Sequence, residues 1–404
     1  MIEHPPRTAA LVLSTVDGSI LGALPALPVA TPWWQDVAPV VEAFRRRHGF
    51  EAVILRLLEA EYPAPPGGRV TYLAEVGGPV AGAGPWAGQI ADHPLRLAYA
   101  RPGGPAADLA WARARMAERG LELTAPPVQI RTWNLSSLWR LPIASGSVWL
   151  KVVPPFFAHE GAVIAHLAAE ATPRMLAHEG ARLLMAESAG EDLYDAGPDL
   201  QRPMIELLVG LQSRHIGRDE DLLALGMPDW RGDALCSLLS NLAERLADGL
   251  DGERRAGLAA FVAALPRRLA ALADCGPGDT LVHGDFHAGN FRGGHFHAEF
   301  GALVLHDWGD CGLGHPQLDQ CAFLDRIAPA DRDGARQAWR EAWLARAPGM
   351  DCERAEGLIA PLAAARQALI YQAFLDAIEP SEHPYHAGDP APWLARAVDL
   401  AHDF

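Results

Sequence analysis

Hydrophobic positions along the chain follow two periods, and the change between them divides the sequence. In the first half, apolar residues alternate with polar ones in short runs. Ala9–Leu13 and Ile20–Leu24 lie on either side of Asp17-Gly18, which predicts two strands and a turn. Val37, Val41 and Phe44 recur at helical spacing. They predict a helix over Asp36–His48, capped by Asp36 and stopped by Gly49. Ala52–Leu58 and Val70–Val76 predict strands around a Pro- and Gly-rich loop, Leu95–Tyr99 a further strand, and Ala106–Arg119 a helix ended by Gly120. After Pro126-Pro127 come strands over Val128–Trp133, Ser137–Leu141 and Val148–Val153, a helix over Phe157–Ala168, and strands over Met175–Glu179 and Arg182–Ala186. From Pro203 onward the period is mainly that of helices: 203–216, 231–250, 253–272, 317–326, 332–346 and 352–378. A predicted hairpin over 280–307 interrupts them. The division expected is an α+β domain over 1–124, a second sheet with its hinge over 125–190, and a helical region over 191–404.

Composition narrows the class. Half of the 404 residues are hydrophobic, and no apolar run in the sequence comes near the roughly 18 residues of a membrane span. The first residues show no basic stretch followed by an apolar segment, so no secretory signal is expected. The five cysteines are odd in number and lack C-x-x-C spacing, which suits free thiols in a reducing cytoplasm. A formal charge of -16 weighs against nucleic acid or an anionic membrane as partner and is compatible with a cationic small molecule.

The chemistry concentrates in three places. Of 34 basic residues only Lys151 is a lysine, and it sits in the apolar run Val148–Val153. An ammonium is a compact charge that fits against a phosphate where a planar guanidinium often does not. His283-Gly284-Asp285-Phe286-His287-Ala288-Gly289-Asn290 contains H-x-D-x-x-x-x-N, and Leu303-Val304-Leu305-His306-Asp307-Trp308-Gly309-Asp310 is an apolar run ending in Asp-Trp-Gly. An Asp that orients a hydroxyl, an Asn five residues on, and a second Asp at a strand end are the parts that phosphoryl transfer with a bound metal requires.

These motifs resemble the aminoglycoside phosphotransferase and choline kinase-like family of small-molecule kinases, through H-G-D-x-H-x-x-N, D-W-x-D and the stretch Gly312-Leu313-Gly314-His315-Pro316-Gln317-Leu318-Asp319. The likeness covers roughly residues 126–404. It implies a bilobal protein kinase-like fold, with a small antiparallel-sheet lobe and a mainly helical lobe, preceded here by the extra α+β domain. It implies an ATP- or GTP-dependent, Mg²⁺-dependent phosphotransferase acting on the hydroxyl of a small acceptor. Asp285 would be the catalytic residue, and Asn290 and Asp307 would hold the metal. Lys151, paired with Glu160, would meet the phosphates. Ser136, in a hairpin tip without a glycine-rich pattern, and Glu187, in the hinge, would lie at the nucleotide. The acidic candidates for an amino sugar or aminoglycoside are Asp325, Asp376 and Glu379, with Glu382 and Asp389 also available. His283 is expected to be a packed residue, and Asp319 to fix local backbone.

Two rival readings use the same residues. A catalytically silent kinase fold would lack one of the four core residues, yet Lys151, Asp285, Asn290 and Asp307 are all present. A dinuclear metal hydrolase could draw on His283, Asp285, His287, His295, His297, His306, Asp307, Asp310 and His315, but their spacing matches no metal-binding pattern such as H-E-x-x-H. That reading also leaves Lys151 and Asn290 without a task.

Overall fold

The computed structural model describes residues 4–168, 170–296, 299–300 and 302–401. Contacts divide the chain into two compact units. The first comprises Met1–Gly161, Met175–Glu187 and Ala373–Gly388, and the second Ala162–Arg174, Ser188–Gln372 and Asp389–Phe404.

The first unit is built on two sheets. Strands β1 (Arg7–Ser14), β2 (Ile20–Val29), β3 (Ala52–Ala60) and β4 (Gly68–Val76) form a sheet in the order β2-β1-β4-β3, with β1 and β4 parallel at its centre. Helix α1 (Ala38–His48) follows β2 and buries Val40, Ala43 and Phe44. Its cap is Val37, not Asp36 as the sequence suggests. The Asp36 carboxylate instead accepts a bond from Arg131 Nε at 2.9 Å. Gly49 ends the helix at φ 75°, a left-handed position that glycine adopts without strain. The strand expected over Leu95–Tyr99 is a single 3₁₀ turn over Ala98–Ala100, followed by α2 (Gly104–Ala117). Pro94 and the Pro102-Gly103 pair bracket this stretch and leave it too short to pair.

The second sheet is antiparallel: β5 (Val128–Trp133), β6 (Ser136–Ile143), β7 (Gly146–Val152), β8 (Met175–Glu179) and β9 (Arg182–Ala186), in the order β5-β6-β7-β9-β8. Alternation along β7 sends Val148, Leu150 and Val152 to the core and Lys151 to the opposite face. Ala112 and Met116 of α2 belong to the same buried cluster as Trp139, Leu141, Val148 and Leu150. The two sheets are also stitched by polar groups. The Gln129 side chain on β5 takes the N–H of Ile54 at 2.9 Å and gives to its carbonyl at 2.7 Å, as a neighbouring strand would.

Helix α3 (Glu160–Leu167) lies between β7 and β8; after β9 come β10 (Glu191–Asp192) and then mainly helices: α4 (Pro198–His215), α5 (Asp219–Ala224), α6 (Gly232–Leu246), α7 (Gly252–Ala273), α8 (Gln317–Arg326), α9 (Arg332–Leu344), α10 (Cys352–Ala377) and α11 (Pro390–Leu400). Helix α4 begins at Pro198 rather than Pro203, because Pro198 is itself the first-turn proline and Pro203 lies inside the helix. Helices α7 and α10 have the length and apolar composition of a membrane span, which the sequence reading did not anticipate. The most apolar window of α10 is 56% buried within the protein and that of α7 28%, and core helices meet the same composition test.

Short strands interrupt the helices of the second unit. β11 (Thr280–Val282) pairs with β16 (Gly312–Gly314). β12 (Phe291–Gly293) lies between β10 and β15 (Val304–Leu305), and β13 (His295–Phe296) pairs with β14 (Glu299–Phe300). His297 lies outside the described residues.

Candidate active site

In the second unit, β11 delivers the chain into a loop whose backbone is held from below. Asp319, at the start of α8, is fully buried and accepts from the N–H groups of His283 at 2.8 Å and Gly284 at 2.7 Å, and from Gln212 Nε2 at 2.8 Å. Burial pushes its carboxyl up to about 6, although the two backbone bonds act to lower it. Gly284 has φ 90°, and a Cβ there would sit 1.9 Å from the Asp310 carbonyl oxygen, so only glycine fits. Arg366 of α10 is also buried. It donates to the carbonyls of Gly284 at 3.3 Å and Asp310 at 3.1 Å and stacks its guanidinium 3.6 Å from the Trp230 ring. Phe286 packs among Phe291, Phe323 and Trp339. The loop's shape is thereby fixed before any ligand binds.

Asp285 projects from this frame and keeps about a third of its side chain exposed. One carboxylate oxygen lies 3.3 Å from His287 Nε2 and the other 3.4 Å from Arg326 Nη2. Burial acts to raise its pKa, but the hydrogen bond and charge of His287 and the charge of Arg326 win and hold it well below the usual range. The carboxylate is therefore ionised at neutral pH. His283 is fully buried and stacks edge-on to Trp308 at 4.6 Å. Its Nε2–H donates to the His306 carbonyl at 2.9 Å, and burial pushes its pKa down to about 4, so it is a neutral structural residue.

Asn290 donates its amide to the Asp285 carbonyl at 2.8 Å, which turns the amide oxygen the other way. The Phe291–Leu305 register and a bond from His306 N–H to the Asn290 carbonyl at 2.8 Å bring Asn290 opposite the residue before Asp307. Asp307 itself adopts φ 64°, ψ 63°, a left-handed conformation that costs a non-glycine residue about 1 kcal/mol. Buried Trp308, whose indole N–H donates to the Leu305 carbonyl at 3.0 Å, anchors the turn that imposes it. Asn290 and Asp307 thus offer hard oxygen donors at the ends of adjacent strands, the donor type a magnesium ion takes. Among the described residues, no three His, Cys, Asp or Glu side chains are grouped to hold a metal ion.

In the first unit, Lys151 Nζ donates to Glu160 Oε1 at 2.7 Å, and Glu160 is only 1% exposed. Ser136 starts β6 and accepts the Trp133 indole N–H at 3.3 Å. Glu187 follows β9 directly and accepts the Ser147 N–H at 3.0 Å, so its carboxylate closes the start of β7. The acidic acceptor candidates lie apart in character, and Glu382 is buried with its carboxyl group accepting the Leu57 N–H at 2.8 Å. Asp325 is bound by both terminal nitrogens of Arg396 at 2.8 and 2.6 Å. Asp376 is exposed near the end of α10. Glu379 is buried in the first unit, taking Arg56 Nε at 3.1 Å and Arg96 Nη2 at 2.9 Å, an internal ion-pair network rather than an open ligand group. The sequence reading did not find Arg326 or Arg366. Arg366 left a trace: it is a lone arginine amid Ala363, Ala364, Ala365 and Ala368 on a mostly buried helix.

A mixed α+β chain with a strand lysine paired to a buried helix glutamate and an H-G-D-x-H-x-x-N loop beside D-W-G has the architecture of the protein kinase-like phosphotransferases. The profile described as the phosphotransferase enzyme family matches residues 138–355, more than half of the chain. The chain belongs to that family. Its fold is shared with a provisionally assigned aminoglycoside phosphotransferase from Ralstonia eutropha, 17% identical over 72% of this chain and 98% of the other, with a TM-score of 0.51. A provisionally assigned fructosamine-3-kinase from Thermobifida fusca matches at 17% identity over 72% and 98%, with a TM-score of 0.50. Plasmodium vivax ethanolamine kinase matches at 10% identity over 72% and 87%, with a TM-score of 0.50. No curated protein sequence matches the chain significantly.

Proposed function

We propose that this phosphotransferase moves the γ-phosphoryl group of ATP or GTP to a hydroxyl of a small molecule. The observation that carries the reading is Asp285: a carboxylate kept ionised and partly exposed on a loop fixed by buried Asp319 and Arg366. Asp285 accepts a hydrogen bond from the acceptor hydroxyl, orients its oxygen toward the phosphorus, and takes the proton late, as suits a loose transition state. Its depressed pKa makes it a weak base, so orientation and charge are its main contributions. Lys151, held by Glu160, neutralises nucleotide phosphate oxygens. Ser136 and Glu187 lie on the nucleotide side. Asn290 and Asp307 would hold Mg²⁺, which when bound offsets the negative charge of the phosphates.

The acceptor class is open to a direct test. Exposed Asp376 favours a cationic acceptor such as an aminoglycoside or amino sugar, whereas Arg326 beside Asp285 favours a neutral or anionic group next to the reacting hydroxyl. The experiment is phosphate transfer from labelled ATP or GTP, with and without Mg²⁺, to aminoglycosides, amino sugars, choline-like alcohols, neutral sugars and nucleosides. Mg²⁺-dependent transfer to one class names the substrate. Absence of nucleotide binding would sink the reading.

A further inference from the structure

The turn that joins β5 to β6 is enclosed where a hairpin tip ordinarily meets water. Asn134, at its first position, is 1% exposed. Its Oδ1 lies 3.2 Å from His386 Nε2, and its Nδ2 donates to the Glu382 carbonyl at 3.5 Å. The Trp133 carbonyl accepts from the Tyr99 hydroxyl at 2.7 Å, and the Trp133 ring meets Tyr385 and His386 with centroids 5.5 and 5.7 Å apart. The segment that supplies these partners is anchored on β3. Glu382 Oε1 accepts the Leu57 N–H at 2.8 Å, and three residues earlier Glu379 is clamped by Arg56 and Arg96. The cavity left among Leu97, Trp133, Asn134, Glu379 and Glu382 measures only about 10 Å³, room for one water and no ligand. These groups all lie in the first unit.

We propose that residues 379–386 and Tyr99 form a latch on the β5–β6 turn, and that Asn134, Glu382 and His386 are positioning residues for the nucleotide. This rests on the reading that the β5–β6 hairpin serves the nucleotide side of the reaction. The tip sequence Asn134-Leu135-Ser136-Ser137 has no glycine to wrap a phosphate by backbone flexibility. Its conformation is imposed from outside instead, by side chains that reach it from the far ends of the sequence. A turn already ordered does not lose conformational freedom when the nucleotide arrives, so affinity is retained without a flexible cover. Glu382 takes part as a neutral carboxyl. Burial pushes it up to about 8, the Leu57 N–H acts to lower it, Glu379 to raise it and Arg56 to lower it. Ionisation would place a second negative charge beside Glu379 and loosen the latch.

The test uses the full chain with Asn134→Ala, His386→Ala and Glu382→Gln. Hydrogen exchange is followed in the peptide covering residues 131–137, together with nucleotide KM, acceptor KM and kcat. The latch requires slow exchange of this turn in the wild type and faster exchange in Asn134→Ala and His386→Ala. It also requires a nucleotide KM raised about tenfold, with kcat and acceptor KM within about twofold. Glu382→Gln, which keeps the neutral shape, should stay near wild type at pH 7 and lose the rise in nucleotide KM that the wild type shows above pH 8. Fast exchange of the wild-type turn, or no change in the variants, overturns the latch. Faster exchange with an unchanged nucleotide KM overturns the positioning role. If the wild type binds no nucleotide, the kinase reading fails, and the exchange data alone decide whether the latch exists.

Discussion

The catalytic loop of the second unit and the β5–β6 turn of the first are both irregular segments held by buried polar groups, yet their carboxylates are treated differently. Asp319 under the catalytic loop accepts three donors, and its pKa rises only to about 6. Glu382 under the turn accepts the Leu57 N–H, has among the described residues no charge-bearing donor of its own at hydrogen-bond distance, sits beside Glu379, and rises to about 8. Asp285, with His287 and Arg326 against it, falls below the normal range despite burial. Burial acts the same way in all three; the number and charge of the partners decide the outcome. The catalytic loop therefore keeps two carboxylates able to carry charge near neutral pH, whereas the turn is held by one that stays protonated.

The largest way to break this comparison is to remove the first 124 residues. Ala112 and Met116 of α2 cover Trp139, Leu141, Val148 and Leu150 of the second sheet. Uncovering four such side chains costs about 1.5–3 kcal/mol each, comparable with the whole stability of a domain, about 5–15 kcal/mol. In a chain beginning at residue 125 the second sheet should lose its cooperative folding, read as lost hydrogen-exchange protection over residues 128–152. A sharp melt with full activity would mean that the two sheets do not depend on a common core.

Next in size is Asp285→Asn, which keeps the shape and removes the charge. Phosphate transfer should fall by about 10³–10⁴-fold, with nucleotide binding retained by calorimetry. Undiminished turnover would take Asp285 out of the chemistry and leave the catalytic loop as only a second structural turn.

These two regions were not equally legible in the sequence. The catalytic loop was visible because its chemistry depends on local spacing: Asn290 reaches the Asp285 carbonyl across five residues, and Gly284 must lie directly between His283 and Asp285. The Lys151 strand was visible because alternation fixes which face a residue takes. The latch was not visible, because His386 and Asn134 stand 252 residues apart and Glu382 and Leu57 325 apart. No periodicity relates such positions. Glu379 shows how this misleads: as a late acidic residue in a helical region it reads as a ligand for a cation, while the fold buries it between Arg56 and Arg96. Asp36 shows the same at smaller scale, since a plausible helix cap was claimed by Arg131 on another strand.

The pH dependence of stability sharpens the contrast between the carboxylates. The Glu382 carboxyl, ordinarily near 4.5, is raised by burial to about 8 in the folded protein, so between these values the folded state binds the extra proton. Its contribution to stability is fully present below about pH 4.5 and is lost as pH rises toward 8. The change in affinity for the proton corresponds to about 3–5 kcal/mol. Denaturant melts at several pH values should show wild type losing stability relative to Glu382→Gln across this window. Parallel curves would mean that Glu382 is not protonated in the native protein. Asp285 has the opposite sign: its depressed pKa gives stability that is present above the unfolded value and is lost only in acid.

The smallest expected effect concerns the only lysine. Lys151→Arg keeps a positive charge next to Glu160, so a role limited to pairing buried charge would leave both stability and rate unchanged. Glu160 is almost fully buried, however, and the ammonium meets it at 2.7 Å on a short, tight approach. A guanidinium is wider, and its planar fork cannot present one compact charge to Glu160 and another face to a phosphate in the same space. The expected result is kcat/KM for the nucleotide reduced about tenfold to a hundredfold, with the melting temperature within a few degrees of wild type. If Lys151→Arg has wild-type kinetics, the lysine is a survivor of arginine-rich composition and the first unit does not meet the phosphates through it. If the variant unfolds, the Lys151–Glu160 pair matters to the core of the first unit more than to the reaction. A selective loss of nucleotide kcat/KM alone ties this pair to phosphate.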